Sequence, residues 1–415
     1  MAEAGVWSLL RKNANFRKLW AGDVISLLGD WFNTLALYEL ITRLTGSPLA
    51  LGVVFITKML PFALASPIAG LLSDRLNRKY LMVGADLFRA LVVLGFLLVD
   101  QPHEVYLIYV LTGLQVIASA FFTPARNALL PTITAEHELL TANALMAATW
   151  SVQLAIGAAL GGVVTAWVGV RTVFILNSLT YLASAYLIAR IAPAPVPLLI
   201  HTSSHPVRHA LSDILEGWRF LLQHPRIGKI ASAKAAWALG GGALVYMLAL
   251  LGQQLTPSAP AMGMGLLYAA RGVGTGIGPL LARRWFQNEA HWLYVMGGSM
   301  LISGMAYLIA SHLTSLWLLA LLIALAHATS GANWVLSTVY LQKHVPNPMQ
   351  GRIFSSEWLI MTTINAGSIL LASLTLEQRI FTLKQNIQLF ALLEIGIALL
   401  WLFWAAPTYR FVKNS

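Results

Sequence analysis

Twelve apolar stretches recur along this 415-residue chain, most of them twenty residues or longer. A run of about 20 is what a helix needs to cross the hydrocarbon core of a bilayer. They fall at about 19–42, 49–72, 80–99, 105–128, 143–168, 172–190, 227–252, 263–283, 291–311, 315–340, 354–376 and 387–407. They do not alternate with period two over about ten residues, which a membrane β-barrel would require. Hydrophobic residues make up 58% of the chain and charged residues 10%. Soluble domains carry about 25% charge, so a water-exposed surface cannot be covered here. A soluble enzyme and a disordered chain are both excluded. The fold expected is an all-α membrane protein of twelve transmembrane helices.

Charge placement sets the orientation. Lys and Arg at loops and helix ends number nineteen on the side of the N-terminus and four on the other, with four more inside spans. That asymmetry puts both termini in the cytoplasm. The net charge of +11 therefore reads as membrane topology and not as a nucleic-acid surface. Two basic pairs, Arg11-Lys12 and Arg17-Lys18, precede the first run with no small-residue cleavage site after it, so an uncleaved first span is expected. There is no cysteine, hence no disulfide framework and no Cys-ligated metal.

The longest connection, 191–226, opens Ala192-Pro193-Ala194-Pro195-Val196-Pro197, an extended linker. An amphipathic helix at 207–222 follows, with Leu211, Leu215, Trp218 and Leu222 on one face and Arg208, Asp213, Glu216 and Arg219 on the other. It would lie on the cytoplasmic membrane surface or against the bundle. Three parts result: an N-terminal six-helix bundle at 1–190, the linker at 191–226 and a C-terminal six-helix bundle at 227–415. The halves look related. Ile68-Ala69-Gly70-Leu71-Leu72-Ser73-Asp74-Arg75 ends the second run, and Ile277-Gly278-Pro279-Leu280-Leu281-Ala282-Arg283-Arg284 ends the eighth, 209 positions later. A polar connection follows both the fourth and the tenth runs, Pro124 to Glu138 and Gln342 to Arg352. Internal repeats of this kind mark transporters whose substrate site lies between the repeats.

Gly70-Leu71-Leu72-Ser73-Asp74-Arg75-Leu76-Asn77-Arg78-Lys79 resembles the signature loop between helices 2 and 3 of the major facilitator superfamily, with Asn77 where the family often has Gly. Phe121-Phe122-Thr123-Pro124-Ala125-Arg126-Asn127-Ala128-Leu129-Leu130-Pro131, Ala142-Asn143-Ala144-Leu145 and Asn15-Phe16-Arg17-Lys18-Leu19-Trp20 resemble the branch of enterobactin-type siderophore exporters and macrolide efflux pumps. The resemblance implies two pseudo-symmetric six-helix bundles, a monomer, a bacterial inner membrane, and Asp74 and Arg75 as gating residues. Proton-coupled antiporters of the superfamily often carry Gly-Pro-x-x-Gly-Gly in the fifth helix. Here the segment is Gly157-Ala158-Ala159-Leu160-Gly161-Gly162, with Ala at the Pro position.

Charges inside the runs carry the chemistry. Asp30 lies 12 residues before the outer end of the first run, roughly 18 Å deep at 1.5 Å per residue. Lys58 lies 9 residues into the second, at roughly 13–14 Å. Two opposite charges near the middle of a 30 Å core must pair or face water, since lipid exposure costs each at least about 2.5–3.5 kcal/mol. Asp30 is the expected proton- or cation-binding acid, with Lys58 as its nearby counter-charge; Asn33 and Gln115 line the cavity or bond neighbouring helices. Asp86 and Arg89 share a helix face. With Arg126, Asp23 and Glu357 they read as a charge network towards the cytoplasm, gating or merely neutralising. Lys234 and Arg271, with no acid in the seventh to tenth runs, are expected as unpaired cations that favour an anionic substrate group. Gln153, Asn177, His327, Asn333 and Asn365 line the cavity or bond neighbouring helices. Glu39 and Glu394 read as outer-side gates or snorkelling acids.

Enzymatic, metal and nucleotide chemistry find no footing. His201, His205 and His209 are spaced by four, but Pro206 interrupts them and no acid lies among them. Gly272 and Gly274 lack the third Gly of GxGxxG, and no GxxxxGK[ST] occurs. No metal and no cofactor is expected. The expectation is a secondary transporter, proton-coupled, exporting an amphipathic small molecule (a drug, macrolide or siderophore) by alternating access. Uptake, or flipping of a lipid-like substrate, is the alternative within transport. A polytopic sensor or scaffold is the alternative outside it, and such a protein needs no intramembrane acids and bases.

Overall fold

The computed structural model describes residues 5–192 and 206–404, and every apolar run in it is helical. The spans are α1 (Ala14–Thr45), α2 in two pieces (Pro48–Thr57 and Leu60–Arg75), α3 (Arg78–Leu94), α4 (Val105–Ile133) and α5 (Glu136–Val152, through a π turn into Ala158–Val168). They continue with α6 (Val170–Ala189), α7 (Pro225–Leu255), α8 (Pro260–Trp285), α9 (Trp292–Ala310), α10 (Leu316–His344), α11 (Asn347–Glu377) and α12 (Leu383–Trp404). Most helices are longer than their apolar runs because a helix, once nucleated, adds one hydrogen bond per residue and carries on into water. The connection expected from Pro124 to Glu138 is therefore mostly helix. α4 continues through Pro124 and Pro131, and only Thr134 and Ala135 separate it from α5. The connection at Gln342 to Arg352 shrinks in the same way to Val345 and Pro346.

Among the described residues, eleven helices are long and apolar enough to cross a membrane. The twelfth, α8, has the length at 26 residues but trades aliphatic side chains for glycine. Those glycines make a backbone-to-backbone contact. A Cβ on Gly274 would lie 2.1 Å from the Ala324 carbonyl oxygen, and one on Gly278 would lie 2.0 Å from that of Ala328. The spacing is the small-xxx-small pattern that lets membrane helices approach closely.

The chain forms two compact units: Met1–Gly46 with Thr57–Val207, and Ser47–Ile56 with Arg208–Ser415. They differ from the expected division at 1–190, 191–226 and 227–415 in two respects: the linker is split between the units after Val207, and Ser47–Ile56, at the start of the second span, belongs to the second unit. Within that unit, Glu377 at the end of α11 caps the start of α2, accepting from Leu49 N at 3.1 Å and Ser47 Oγ at 2.7 Å. Tyr246 Oη of α7 donates to Pro48 O at 2.7 Å. The boundary between units coincides with the break in α2 at Lys58 and Met59. Pro61 explains the break: it has no N–H for the Thr57 carbonyl, and its ring crowds that carbonyl.

In the first unit α1 packs on α5 and α6, α3 on α4 and α6, and α2 on α4. In the second unit the same pairings recur six helices on: α7 on α11 and α12, α9 on α10 and α12, and α8 on α10. The linker helix, Pro206–Gln223, belongs chiefly to the second unit. Its Glu216 pairs with Arg352 of α11 at 2.6 Å, and Gly217 meets the backbone of Arg352. The Pro-rich stretch 193–197, His201 and His205 lie outside the described residues.

The α8–α10 contact sets a test of packing. Gly278→Ala should destabilise the purified protein by about 1–3 kcal/mol, the range for an overpacked site, because the added methyl meets backbone and cannot turn aside. Gly298 of α9 has nothing within 4 Å of an added Cβ. Gly298→Ala should leave the melting temperature unchanged or raise it, since Ala is the better helix former. Thermal unfolding of both variants in detergent checks the pair; equal losses would contradict it.

Candidate functional site

In the first unit a hydrogen-bond network around Asp30 joins three helices, α1, α4 and α6. Asp30 of α1 accepts through Oδ1 from the Tyr181 hydroxyl of α6. Tyr181 Oη in turn accepts from Gln115 Nε2 of α4 at 2.8 Å. Gln115 Oε1 accepts from Asn33 Nδ2, one turn above Asp30 on α1, at 3.3 Å. Asp30, Asn33 and Gln115 are thus brought together, and the hub is a residue the sequence reading passed over. Tyr181 is one of several hydroxyl residues in α6, and it lies on the same face as Asn177 four residues earlier. That placement was the available signal.

Lys58 reaches the network indirectly. Its Nζ donates to Thr34 Oγ1 at 2.6 Å, and Thr34 Oγ1 donates to the Asp30 carbonyl at 2.7 Å. No direct ion pair joins Asp30 and Lys58, so the expected partnership is corrected to a bridge through Thr34. The break in α2 is what frees Lys58 to point this way, since it sits in the two-residue gap between half-helices. Broken helices with freed backbone are a recurring device at transporter sites. Both Asp30 and Lys58 are half-buried, neither sealed nor fully exposed.

Arg89 is the second cation whose charge reaches Asp30. It is buried, ion-paired to Asp86 one turn earlier on α3, and its guanidinium carbon lies over two rings, 4.4 Å from the Tyr181 centroid and 4.7 Å from that of Phe122. A planar, weakly hydrated guanidinium suits such a slot better than an ammonium. The sequence reading placed Asp86 and Arg89 in a cytoplasmic network; in the structure they join the Asp30 site through Tyr181. Arg126 pairs separately with Asp23 at 2.8 Å.

The π turn at Gln153–Gly157 seats α5 against this site. A Cβ on Gly157 would meet the Trp31 ring at 2.9 Å, and one on Gly161 would meet the Phe32 backbone at 3.2 Å. Both neighbours follow Asp30 directly in sequence. The close packing expected of these glycines is kept with Ala158 at the Pro position.

The signature loop is tied down within its own unit. Asn77 caps α3, accepting from Lys79 N at 3.1 Å. Arg78 donates to the Ala128 carbonyl in the last turn of α4 at 2.9 Å, and Lys79 to the Ile191 carbonyl just past α6 at 2.7 Å. Cations at helix C-termini complement the helix dipole. Asp74 and Arg75 end α2, and their side chains lie outside the described ones.

In the second unit the expectation of two unpaired cations is half corrected. Lys234 is buried and pairs with Glu357 of α11 at 3.0 Å, donates to Thr338 Oγ1 at 3.0 Å, and sits 4.6 Å from the Trp334 ring centroid. Its acid lies on the eleventh span, beyond the four in which a partner was sought. Glu357 also accepts from Ser337 Oγ at 3.1 Å, so both charges are satisfied. Arg271 of α8 remains without an ion pair among the described residues, half-buried and near His327 and Tyr307. His327 and Tyr307 bond each other at 2.8 Å.

Several known proteins resemble the chain. A putative bacilysin exporter, BacE, of Bacillus amyloliquefaciens is 27% identical over 359 residues, 86% of this chain and 88% of that one. The enterobactin exporter EntS of Citrobacter koseri is 26% identical, covering 83% and 81%. Macrolide efflux protein A of Streptococcus pyogenes is 33% identical over 126 residues, 30% of this chain and 31% of that one. Among solved structures, the nucleoside transporter NupG superposes with a TM-score of 0.72 at 13% identity, covering 94% of this chain and 98% of that one, a likeness of fold. The branch expected from the Phe121–Pro131 stretch is thus the one its relatives carry. The Major Facilitator Superfamily pattern spans residues 19–373, and the chain belongs to that superfamily.

Proposed function

We propose that this transporter exports an amphipathic small molecule from the cytoplasm of a bacterium across the inner membrane, as a monomer, driven by proton entry at Asp30. The observation that carries the reading is the half-buried carboxylate of Asp30, bonded to Tyr181 with Arg89 over the same ring. A carboxylate among apolar helices is tolerated in its charged form only where cations and a hydroxyl offset that charge. Protonation would remove the negative charge to which the Tyr181 hydroxyl donates, and with it the charge that Arg89 faces across the Tyr181 ring. One titration thereby changes contacts on α1, α3 and α6, and a ligand shifts a conformational equilibrium only through such differential contacts. The exporter names of the relatives support outward transport, and the basic N-terminal side supports cytoplasmic termini.

Arg271 supports a substrate with an acidic group. It is the intramembrane cation of the second unit left without an ion pair among the described residues. Lys234 does not share that role, since Glu357 holds it. The Lys234–Glu357 pair reads as a structural fastening between α7 and α11.

Two measurements follow. In vesicles with an imposed pH gradient, a panel of macrolides, peptide antibiotics and catecholate siderophores should identify a substrate, and Asp30→Asn should slow gradient-driven transport of it by about 5–150-fold, the usual span of a coupling free energy. Exchange of that substrate without a gradient should persist. An unchanged rate and pH profile in Asp30→Asn would remove Asp30 from the mechanism. Separately, Lys234→Ala should cost about 3–5 kcal/mol of stability by stranding Glu357. The double change Lys234→Met with Glu357→Leu should recover most of it, read by thermal unfolding. Equal losses in the single and double variants would show that the pair is not a fastening.

A further inference from the structure

A second buried acid stands apart from the Asp30 network. Glu394, in the middle of α12, has no exposed surface, and neither carboxylate oxygen has a hydrogen-bond partner. The sequence reading placed it as an outer-side gate or snorkelling acid; the structure encloses it instead. Two glycines bring the neighbouring helices onto α12 at this level. A Cβ on Gly240 of α7 would lie 2.8 Å from Glu394 Cβ and 2.8 Å from the Phe390 carbonyl. A Cβ on Gly304 of α9 would lie 2.9 Å from the Ala391 carbonyl. Among the described residues no cation pairs with the acid. From α9 it faces Ser303, whose hydroxyl falls short of hydrogen-bond geometry, and Tyr307, whose hydroxyl is held by His327 of α10. From α8, Arg271 lies near Tyr307 and His327. From α7 comes the glycine, the charge of Lys234 being committed to Glu357. α11 brings Glu357, committed likewise, and Glu377 at its far end, committed to the start of α2.

We propose that Glu394 is a second proton-binding site, in the second unit, that holds a proton while α7 and α9 close over it and gives it up when they part. An ionised carboxylate left here unpaired would cost several kcal/mol, so the enclosed side chain is the neutral acid. The bound species is a proton and not a metal cation. Hard cations take six or more oxygen ligands, and this pocket offers one carboxyl group and a serine hydroxyl. The reaction is carboxylate plus proton to carboxylic acid, with no other bond made or broken. The proposal deepens the transport reading by giving the second unit its own proton, and its test needs no transport substrate.

Infrared spectroscopy of the purified protein in liposomes reads the protonated carboxyl directly. In an Asp30→Asn background, a carboxylic-acid C=O band should be present at neutral pH and vanish on adding Glu394→Gln. Stepping the medium alkaline should bleach the band reversibly, with one proton per chain released to a pH dye, and Glu394→Gln should lose that proton. If Glu394→Gln does not fold, isotope-labelled glutamate in the intact chain should shift the same band. Absence of the band at neutral pH overturns the proposal. So does a band that no alkaline step bleaches, which would make Glu394 a permanently neutral core acid. Either failure leaves Asp30 as it stands, and a chain that transports none of the panel above would still give the titration.

Discussion

An ionised side chain in hydrocarbon must find a partner, a hydrogen bond or water, and nearly every notable feature of this chain is an answer to that demand. Asp86 is met by Arg89, Asp23 by Arg126 and Glu357 by Lys234. Such pairs contribute little net stability, because desolvation offsets most of their attraction. Their effect lies in cost asymmetry: any rearrangement that separates them leaves a bare charge, so each pair permits a few arrangements of its helices and forbids the rest. The Asp30 group is the exception that remains adjustable. Its carboxylate is shared between a hydroxyl and two indirectly placed cations, so a proton can replace those contacts without stranding a charge.

The two units share an architecture and have diverged in chemistry. Helix pairings repeat six helices on, yet at the 209-residue offset that aligns the second and eighth spans, Asp30 falls on Leu239, Lys58 on Leu267 and Gln115 on Ala324. The second unit has thus replaced the polar network with apolar side chains. At Ala324 the exchange has a visible use, since the Ala324 carbonyl is where Gly274 lets α8 touch α10. The second unit keeps its buried charges at other positions, Lys234, Glu357 and Glu394.

What the sequence disclosed follows from the range of each force. Span number and helix identity were legible because hydrophobic burial sums over twenty residues and one misplaced side chain does not reverse it. Loop boundaries were not. Helices extend by local hydrogen bonding past the point where hydropathy falls, as α4 does through Pro124 and Pro131. Single-residue partnerships were legible only along one helix, where spacing fixes the neighbour, as for Asp86 and Arg89. Across helices they depend on rotation and register. Lys234 therefore read as unpaired with Glu357 more than a hundred positions away, and the bonds of Thr34 and Tyr181 around Asp30 and Lys58 were not read.

Which prolines interrupt a helix was not legible either: α4 runs through Pro124 and Pro131, while the second span, a single apolar run in the sequence, is interrupted just before Pro61. The break both frees Lys58 and marks where the chain passes from one compact unit to the other. The ten residues before it are anchored in the second unit by Glu377 and Tyr246, and the sixteen from Leu60 pack on α4 in the first. A continuous helix would transmit any displacement of its outer end rigidly to its inner end. A helix interrupted at Lys58 does not, because the missing backbone hydrogen bond there removes the stiffness. The residue at the interruption is also the one bonded to Thr34, on the turn above Asp30. A bend at this point therefore changes the reach of Lys58 towards Thr34, and with it the charge that Asp30 feels, which couples backbone geometry to the acid without any contact between them.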